Sequence, residues 1–237
     1  MNNLFDRFFP PEVLALATDA SVDFALEKSR AILSPGQQRF LQQAGGIKCE
    51  RLLNIRQVHG RRVLVLSRRS LLQIKSERKA DGVLTADFNV PLSIRTADCL
   101  SIFIYDPKHQ VIGLLHAGWK GTKKQIALRA LEIMRKRWGT RPKDLLIAFG
   151  PSIKPCCYQV SLEFRKFFPL ETKFANDQLC FDLTQANKNQ LFKAGLSKKQ
   201  IFDCQVCTCC HENYFSYRRQ GAKAGRMLSV MMLKNGL

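Results

Sequence analysis

Three side chains that can bind a metal lie in short loops beside apolar segments. His59 lies in QVHG, Cys99 in TADC and His116 in HAGWKG. Imidazole nitrogen and thiolate sulfur are zinc ligands and bind it in tetrahedral geometry. Copper binds the same donor types, and the general order of metal affinities favours copper over zinc. Three protein ligands leave a fourth position open, as in zinc sites that activate a water molecule.

The spacing of these residues does not by itself bring them together. Forty positions separate His59 from Cys99, and seventeen separate Cys99 from His116. A predicted hairpin places Cys99 before one strand and His116 at the end of the next, so both fall at the same end of the hairpin. From the residues alone, two interpretations stay open: a shared metal site, or core and turn residues that bind nothing.

The hydrophobic pattern predicts the elements that carry these loops. The β-branched-rich runs 100–105 and 111–116, joined by the turn DPKHQ, predict a hairpin of buried strands. After Gly121 the spacing of the apolar residues predicts an amphipathic helix, with Thr122 as its N-cap and Gly139 as the residue at which it ends. Further strands are predicted over 143–150, 201–207 and 225–233, and helices over 161–168 and 183–196.

Strands and helices mix without strict alternation, which indicates the α+β class with a mixed or antiparallel sheet. Residues 11–34 are compatible with a helix or with an opening strand. No linker composition divides the chain, so we predict one domain over 1–237.

Acidic and basic residues near the three loops are candidates for further roles. Asp81 follows the first loop and could orient a ligand, act as a general base or form an Asp-Gly turn. For Asp98 we expect a structural role. Guanidinium groups bind phosphate or carboxylate bidentately, which makes Arg218, and less strongly Arg219 and Arg226, candidates for substrate binding. Solvated surface charge is the alternative for each arginine.

A second group of thiols occurs in CQVCTCCH, residues 204–211. Structural zinc sites usually combine two separated ligand pairs. The partner pair available here is Cys156-Cys157, and adjacent cysteines rarely chelate one metal together. We therefore expect buried thiols in a late strand rather than a second metal site.

Charge and composition limit the classes of partner. The net charge is +19 and the isoelectric point about 9.9, but the basic residues are scattered, so we do not expect nucleic acid as the main partner. No segment approaches the ~20 apolar residues of a membrane span, and we expect no membrane partner. An early acid and two prolines do not suit a secretory signal, and nine cysteines suit a reducing compartment, so we predict a cytoplasmic protein.

The order of the motifs resembles a known family. The segments QVHG, ADG, TADC, HAGWKG, GPSI, CCYQV, FDL, FSYRR and a late GR, together with Cys207-Thr208, follow the order of the polyphenol oxidase or laccase-domain family. That family is also described as purine nucleoside phosphorylases, and the resemblance runs from Gln57 to Arg226. It implies a zinc site formed by His59, Cys99 and His116. It also implies a layered α-β-β-α domain similar to a toxin deamidase fold.

The chain departs from the family at two positions. Members carry Phe-Thr-Thr-Arg and paired glycines near the N-terminus, where residues 14–25 here read LALATDASVDFA. Lys120 replaces the commoner arginine of the HAGWRG motif, which keeps the charge but not the bidentate fork. An altered substrate or activity is therefore open.

The resemblance implies a zinc-dependent enzyme that acts on purine nucleosides. The reactions implied are phosphorolysis of adenosine, inosine or methylthioadenosine with phosphate, and deamination of adenosine. Alternatives are an editing hydrolase that removes misincorporated L-serine from peptidoglycan precursors, and a non-enzymatic basic binding module. Copper-dependent polyphenol oxidation by a multicopper enzyme needs more histidines than the four present. We predict His59, Cys99, His116 and Asp81 as the catalytic residues and Arg218 and Lys120 as substrate-binding residues.

Overall fold

The computed structural model describes residues 4–25, 33–47, 52, 55–69, 78–175 and 177–235. Within these ranges lie thirteen strands, five α-helices and four short 3-10 helices. The strands are β1 Val13–Ala17, β2 Ile55–Arg56, β3 Val63–Val65, β4 Arg78–Lys79, β5 Gly82–Thr85, β6 Leu92–Thr96, β7 Leu100–Asp106, β8 Val111–Ala117, β9 Leu146–Phe149, β10 Thr172–Ala175, β11 Gln178–Phe181, β12 Ile201–Asp203 and β13 Met227–Leu233. The helices are α1 Pro35–Gly45, α2 Trp119–Lys123, α3 Ile126–Trp138, α4 Leu183–Lys193 and α5 Tyr217–Gln220, and the 3-10 helices are Pro142–Asp144, Leu162–Lys166, Lys198–Gln200 and Gly221–Lys223.

A six-stranded mixed sheet forms the centre, in the order β12-β9-β7-β8-β5-β3. The outer pairs β12–β9 and β3–β5 are parallel, and the pairs between them are antiparallel. The predicted hairpin is β7–β8, with Leu100 opposite Ala117 and Asp106 opposite Val111. A second, antiparallel sheet has the order β1-β13-β6. The predicted mixed α+β class is confirmed.

The alternation of side chains along the strands produces four layers. Ile102 and Ile104 of β7 pack in the core cluster that contains the apolar faces of α3 and α4. Phe103 and Tyr105, which point the other way, pack against the three-stranded sheet. The outer face of that sheet is covered by Leu41 of α1. The α-β-β-α layering is confirmed, while the similarity to a toxin deamidase fold and the single domain over 1–237 stay predictions.

The helix after Gly121 begins later than the sequence predicts. Thr122 is not its N-cap but a buried residue of α2, and its Oγ1 accepts a hydrogen bond from Asn187 of α4 at 2.9 Å. The chain then turns at Gln125, whose φ of 60° lies in the left-handed region, and α3 starts after it. Thr122 is therefore not positioned to cap α3, because it lies inside α2 and the turn at Gln125 separates the two helices. The predicted stop at Gly139 is confirmed, with φ 74°.

Two further segments refine the predictions. The opening strand within 11–34 is β1, although residues 26–32 lie outside the described part. The strand predicted over 201–207 ends at Asp203, because the Asp203 carboxylate accepts the backbone N–H of Gln205 at 2.9 Å and Gln205 has a φ of 57°. Residues 204–211 therefore form a loop and turns rather than a strand. None of the helices in the described ranges is long and apolar enough to cross a membrane.

Candidate functional site

The structure brings His59, Cys99 and His116 together at one end of the central sheet. Their ligand atoms all lie within 4.8 Å of one another. The Cys99 Sγ is 3.8 Å from the His59 Nε2, and the two imidazole rings are 4.8 Å apart at 79°. His116 is buried, Cys99 is half-buried and His59 is exposed, so the trio is open on one side. We call these three residues the His-Cys-His trio.

The hairpin register explains two members of the trio. His116 is the penultimate residue of β8 and lies opposite Ser101 of β7. Cys99 immediately precedes β7, so its side chain lies beside His116 at the same end of the hairpin. This is the arrangement that the sequence predicted from the two apolar runs.

Asp81 holds the third member in place. Its carboxylate accepts the backbone N–H groups of Val58 at 3.1 Å, His59 at 2.8 Å and Gly60 at 2.7 Å. His59 itself has a φ of 53°, in the left-handed region that few non-glycine residues occupy. Three converging N–H groups form an anion-binding concavity, so the carboxylate stabilises the conformation that turns His59 toward Cys99.

Asp81 also orients His116. Its Oδ1 lies 3.0 Å from the His116 Nδ1, and its carbonyl oxygen accepts the His116 backbone N–H at 2.7 Å. A hydrogen bond at Nδ1 leaves Nε2 free to bind a metal. Asp81 is fully buried and does not line the cavity described below. Of its three sequence-based interpretations, this geometry favours the orienting role.

Cys99 and His116 shift each other's pKa when no metal is bound. Burial would raise the pKa of the Cys99 thiol, but the charge and hydrogen bond of His116, and then His59, outweigh it and lower the pKa to about 6. Burial would lower the pKa of His116, but the charge of Cys99 and the hydrogen bond to Asp81 raise it to about 9. At neutral pH the pair is therefore a thiolate and an imidazolium.

Alkylation of the metal-free protein with iodoacetamide tests this ionisation. Because the thiolate is the nucleophile, we expect Cys99 to react with a midpoint near pH 6, given its pKa of about 6. Cys204 is an internal control, since burial raises the pKa of its thiol. Residue-resolved mass spectrometry over pH 4–10 measures both. A Cys99 midpoint at the usual thiol value of about 8.5 contradicts the coupled pair.

The donor set fits a single zinc or copper ion. Metal–sulfur and metal–nitrogen bonds of about 2.3 and 2.1 Å in a tetrahedron separate sulfur from nitrogen by about 3.6 Å, close to the 3.8 Å between Cys99 and His59. The other two histidines lie elsewhere: His109 bonds Asp106 at 2.8 Å at the far end of the hairpin, and His211 follows the late cysteines. The four histidines therefore do not form a multicopper centre.

Gly118 leaves room for the side chains of Cys99 and His59. A Cβ at this position would lie 2.8 Å from the Cys99 Sγ and 3.1 Å from the His59 Cδ2. We expect Gly118→Ala to displace both ligands and weaken metal affinity by about 10- to 100-fold, the range seen when residues supporting a ligand are changed. Gly36→Ala is the matched control, since its Cβ meets only a side-chain oxygen at 3.9 Å. Competitive chelator titration measures both; equal affinities would show that the space at Gly118 is unused.

A cavity of about 810 Å³ opens on the trio. Three aromatic side chains line the cavity: Trp119, Tyr158 and Tyr217. The Trp119 ring also packs on the Phe164 ring, with the ring centres 5.0 Å apart, so Trp119 belongs both to the core and to the cavity wall. Its lining includes five basic side chains, Arg56, Arg95, Lys120, Arg218 and Arg226.

The two predicted substrate-binding residues both lie in this lining. Lys120 is exposed, with its Nζ 5.5 Å from the Trp119 ring centre. The Arg218 guanidinium lies 5.5 Å from the Tyr158 ring centre and donates to the Gln159 carbonyl at 3.0 Å. Of the other arginine candidates, Arg226 lines the cavity and Arg219 does not. Substrate binding by Lys120 and Arg218 stays a prediction.

Arg95 is a cavity residue that the sequence reasoning missed. It lies in β6 and is 8% exposed, and its Nε donates to the Phe24 carbonyl at 2.8 Å. No carboxylate among the described residues is within ion-pair distance of its guanidinium. Burial lowers its pKa to about 10, so it stays charged at neutral pH. An arginine inside an apolar strand directly before TADC was the available signal.

Asp98 is the acidic residue that lines the cavity, and both of its carboxylate oxygens already accept hydrogen bonds from other residues of the chain. Its Oδ1 accepts the Thr208 hydroxyl at 2.7 Å, and its Oδ2 accepts the Arg218 backbone N–H at 2.6 Å. This agrees with the structural role expected for Asp98. The cavity is therefore strongly positive and suits an anionic ligand.

Comparisons with known proteins show which sequences this chain is similar to. Residues 30–234 match the model of the family described as multi-copper polyphenol oxidoreductase laccase. The chain is 34% identical over 166 residues to purine nucleoside phosphorylase YlmD of Bacillus subtilis, covering 66% of this chain and 60% of that protein. It is 28% identical over 206 residues to human purine nucleoside phosphorylase LACC1, covering 83% of this chain and 46% of that protein. The aligned stretches thus span less than two thirds of these relatives.

The fold has solved counterparts. The crystal structure of YlmD from Geobacillus stearothermophilus superposes with a TM-score of 0.82 at 26% identity, covering 95% of this chain and 94% of that one. A Bacillus licheniformis protein, YfiH, superposes with a TM-score of 0.80 at 23% identity, covering 94% and 93%. The layered fold is therefore shared with solved structures.

Proposed function

The chain belongs to the family described as multi-copper polyphenol oxidoreductase laccase, and from that premise we propose that it is a metal-dependent enzyme that cleaves purine nucleosides with phosphate. The relatives named purine nucleoside phosphorylase support the reaction class. The observation that carries the proposal is one cavity containing both the open His-Cys-His trio and the buried, carboxylate-free cation Arg95.

In phosphorolysis a phosphate oxygen forms a bond to C1′ of the ribose while the bond from C1′ to the base nitrogen breaks. The base leaves with the electron pair and takes up a proton, so the products are a free base and ribose 1-phosphate. The enzyme must hold a phosphate dianion beside a ribose that develops positive charge. Arg95, Arg218 and Lys120 face the cavity with the charge needed to bind the phosphate.

The aromatic lining suits the base. Trp119 and Tyr158 are half-buried on the cavity wall, and Tyr217 is 57% exposed at its edge. Stacking of a base on an aromatic side chain is worth about 1–3 kcal/mol and does not depend on which purine is bound. We propose that these rings hold the purine and that adenosine, inosine and methylthioadenosine are alternative substrates.

Zinc is the metal we propose, held by His59, Cys99 and His116. When bound, it supplies a Lewis acid at the cavity floor. Asp81 fixes the His116 tautomer, and the Asp81–loop hydrogen bonds keep His59 turned inward. The Tyr158 hydroxyl stays protonated and neutral, because burial and then the charge of Cys99 raise its pKa.

A substrate panel tests the proposal. The zinc-loaded protein is incubated with adenosine, inosine and methylthioadenosine, with and without phosphate, and the products are separated by liquid chromatography. We expect free base only when phosphate is present, together with ribose 1-phosphate from adenosine or inosine and methylthioribose 1-phosphate from methylthioadenosine. The adenosine sample also reveals inosine if deamination occurs. No nucleoside turnover, with L-serine released from a muramyl-serine precursor, would instead favour the editing hydrolase. Phenol oxidation that requires copper would favour the oxidase.

Arg95→Lys tests the proposed phosphate contact. The change keeps the positive charge but removes the planar fork, so we expect KM for phosphate to rise by about 10-fold or more, since hydrogen bonds to charged groups are worth about 1.5–3 kcal/mol. KM for the nucleoside should change little. Arg129→Lys, in an exposed pair with Glu132, is the control. Equal increases in both KM values would show that Arg95 has only a structural role.

A further inference from the structure

Four thiols outside the His-Cys-His trio converge on a second point. The sulfurs of Cys156, Cys157, Cys207 and Cys210, here called the cysteine cluster, all lie within 4.8 Å of one another. The Cys210 Sγ is 3.4 Å from the Cys156 Sγ and 3.2 Å from the Cys157 Sγ. Two other thiols of the same loop, Cys204 and Cys209, are not in the group.

Two turns build the cluster. The first carries Cys156 and Cys157 and is closed by the bond from the Cys157 N–H to the Lys154 carbonyl at 3.0 Å. The second carries Cys207 and Cys210 and is closed by the bond from the His211 N–H to the Cys207 carbonyl at 3.1 Å. A parallel bridge between Ser152 and Cys207 holds the two turns side by side.

We propose that the cysteine cluster binds one structural Zn²⁺ through all four thiolates, separate from the His-Cys-His trio. Metal–sulfur bonds of about 2.3 Å in a tetrahedron place the sulfurs about 3.8 Å apart. The spacings in the cluster, from 3.2 Å to at most 4.8 Å, bracket that value. Cys207 and Cys210 also have the C-x₂-C spacing of structural zinc sites.

The surroundings of Cys207 suit a thiolate ligand. The backbone N–H groups of Cys210, Lys154 and Cys209 all hydrogen-bond to its sulfur. Such bonds outside the metal's own ligands orient the sulfur and stabilise its negative charge. Binding converts four thiols into thiolates and releases four protons, so the bound site carries a charge of −2 that the strongly basic chain offsets.

The adjacency of Cys156 and Cys157 does not prevent both from binding. In the sequence alone, this adjacency argues against a second metal site. In the folded chain both thiols approach the same partner, Cys210. The expectation of four thiols in a late strand was wrong, because the strand ends at Asp203 and the turn after it brings Cys207 and Cys210 to the other pair.

The position of the cluster gives the proposed zinc a structural role. Thr208, next to Cys207, donates to Asp98, which also accepts the Arg218 backbone N–H. Tyr158, next to Cys157, lines the same cavity as Arg218. A metal in the cluster therefore pins together two segments of the cavity wall. Since all four positions are filled by protein, the site has no open position for chemistry.

Metal counting tests the proposal. Protein purified under a thiol reductant, which excludes a disulfide, is measured by elemental analysis after supply with zinc. We expect two equivalents in the wild type and in Cys209→Ser, the matched control from the same loop. Cys207→Ser and Cys210→Ser should each lose one equivalent and keep the trio's zinc. Cys99→Ala should keep the equivalent in the cluster.

X-ray absorption on zinc-loaded Cys99→Ala gives a readout that does not depend on folding of the cluster variants. We expect four sulfur neighbours at about 2.3 Å and no nitrogen. One equivalent in the wild type that disappears in Cys99→Ala, or nitrogen neighbours in that variant, would overturn the proposal. So would equal zinc loss in Cys209→Ser and Cys210→Ser. None of these results depends on nucleoside turnover, so failure of this site and failure of the proposed enzyme activity are distinguishable.

Discussion

Replacing His116 by alanine is expected to abolish metal binding at the trio and to lower kcat/KM for phosphorolysis by at least about 10³-fold. The residue is 3% exposed, and its Nδ1 bonds Asp81, so alanine removes a ligand that the fold holds in place. A catalytic metal contributes several kcal/mol of transition-state stabilisation, and about 4 kcal/mol corresponds to the stated factor. Elemental analysis and initial rates measure the two effects on the same preparation.

His109→Ala is the matched control for this prediction. His109 also bonds a buried aspartate, Asp106, at 2.8 Å, but it lies at the opposite end of the same hairpin. We expect this variant to keep the trio's metal and its activity. Full zinc occupancy of the trio in His116→Ala, or equal loss in both variants, would contradict the metal assignment.

Asp81→Asn is expected to have the second largest effect, although Asp81 does not reach the cavity. The amide presents an NH₂ where the carboxylate accepts N–H groups from Val58, His59 and Gly60 and the His116 Nδ1–H. We expect metal affinity to fall by about 10- to 100-fold. The free energy of unfolding should fall by about 3 kcal/mol, as when one partner of a buried charged pair is lost. Chelator titration and denaturant unfolding measure the two.

The Asp81 contribution also predicts a pH dependence of the metal-free protein. Burial would raise the pKa of this carboxyl, but the hydrogen bonds from His116 and from the N–H groups of Gly60 and Val58, with the charge of His116, hold it below its usual value. A lowered pKa in the folded state gives stability that is present above the unfolded value of about 3.9 and is lost as the pH falls through the folded value. In Asp81→Asn this part of the loss of folding stability at acid pH should be absent.

Asp144→Asn is the control, because Asp144 forms an exposed pair with Arg141 that contributes little. If Asp81→Asn and Asp144→Asn have the same stability and the same metal affinity, Asp81 does not organise the trio. Retained affinity with lost turnover in Asp81→Asn would instead indicate that Asp81 takes part in the reaction directly.

The sequence predicts the local half of the trio. The apolar runs that form β7 and β8 and the short turn between them bring Cys99 and His116 to one end of a hairpin, and the register agrees. These are contacts between neighbouring segments, for which strand periodicity and turn length are sufficient. The amphipathic period likewise predicts α3 and its stop at Gly139. It does not predict the start, because the separate helix α2 and the left-handed turn at Gln125 precede α3.

Long-range contacts explain what the sequence does not predict. His59 lies close to Cys99 because its loop is held by the Asp81 carboxylate, 22 positions away in the sequence, which accepts the His59 backbone N–H. Arg95 lies in an apolar strand, and only the fold shows that its guanidinium lines a cavity. The cysteine cluster depends on the bridge between Ser152 and Cys207, and no local pattern encodes that pairing. The order of the motifs along the chain indicates the family. The spacing between two motifs does not indicate how their residues are arranged in the site.

Metal depletion and restoration with inosine as substrate test whether phosphorolysis requires the metal of the trio. The chain is stripped of metal, reconstituted with zinc or copper, and assayed for hypoxanthine release with and without phosphate. We expect no release by the stripped protein and phosphate-dependent release after zinc is restored, absent in His116→Ala. Release that is independent of phosphate, or undiminished after complete removal of metal, would contradict the proposed function.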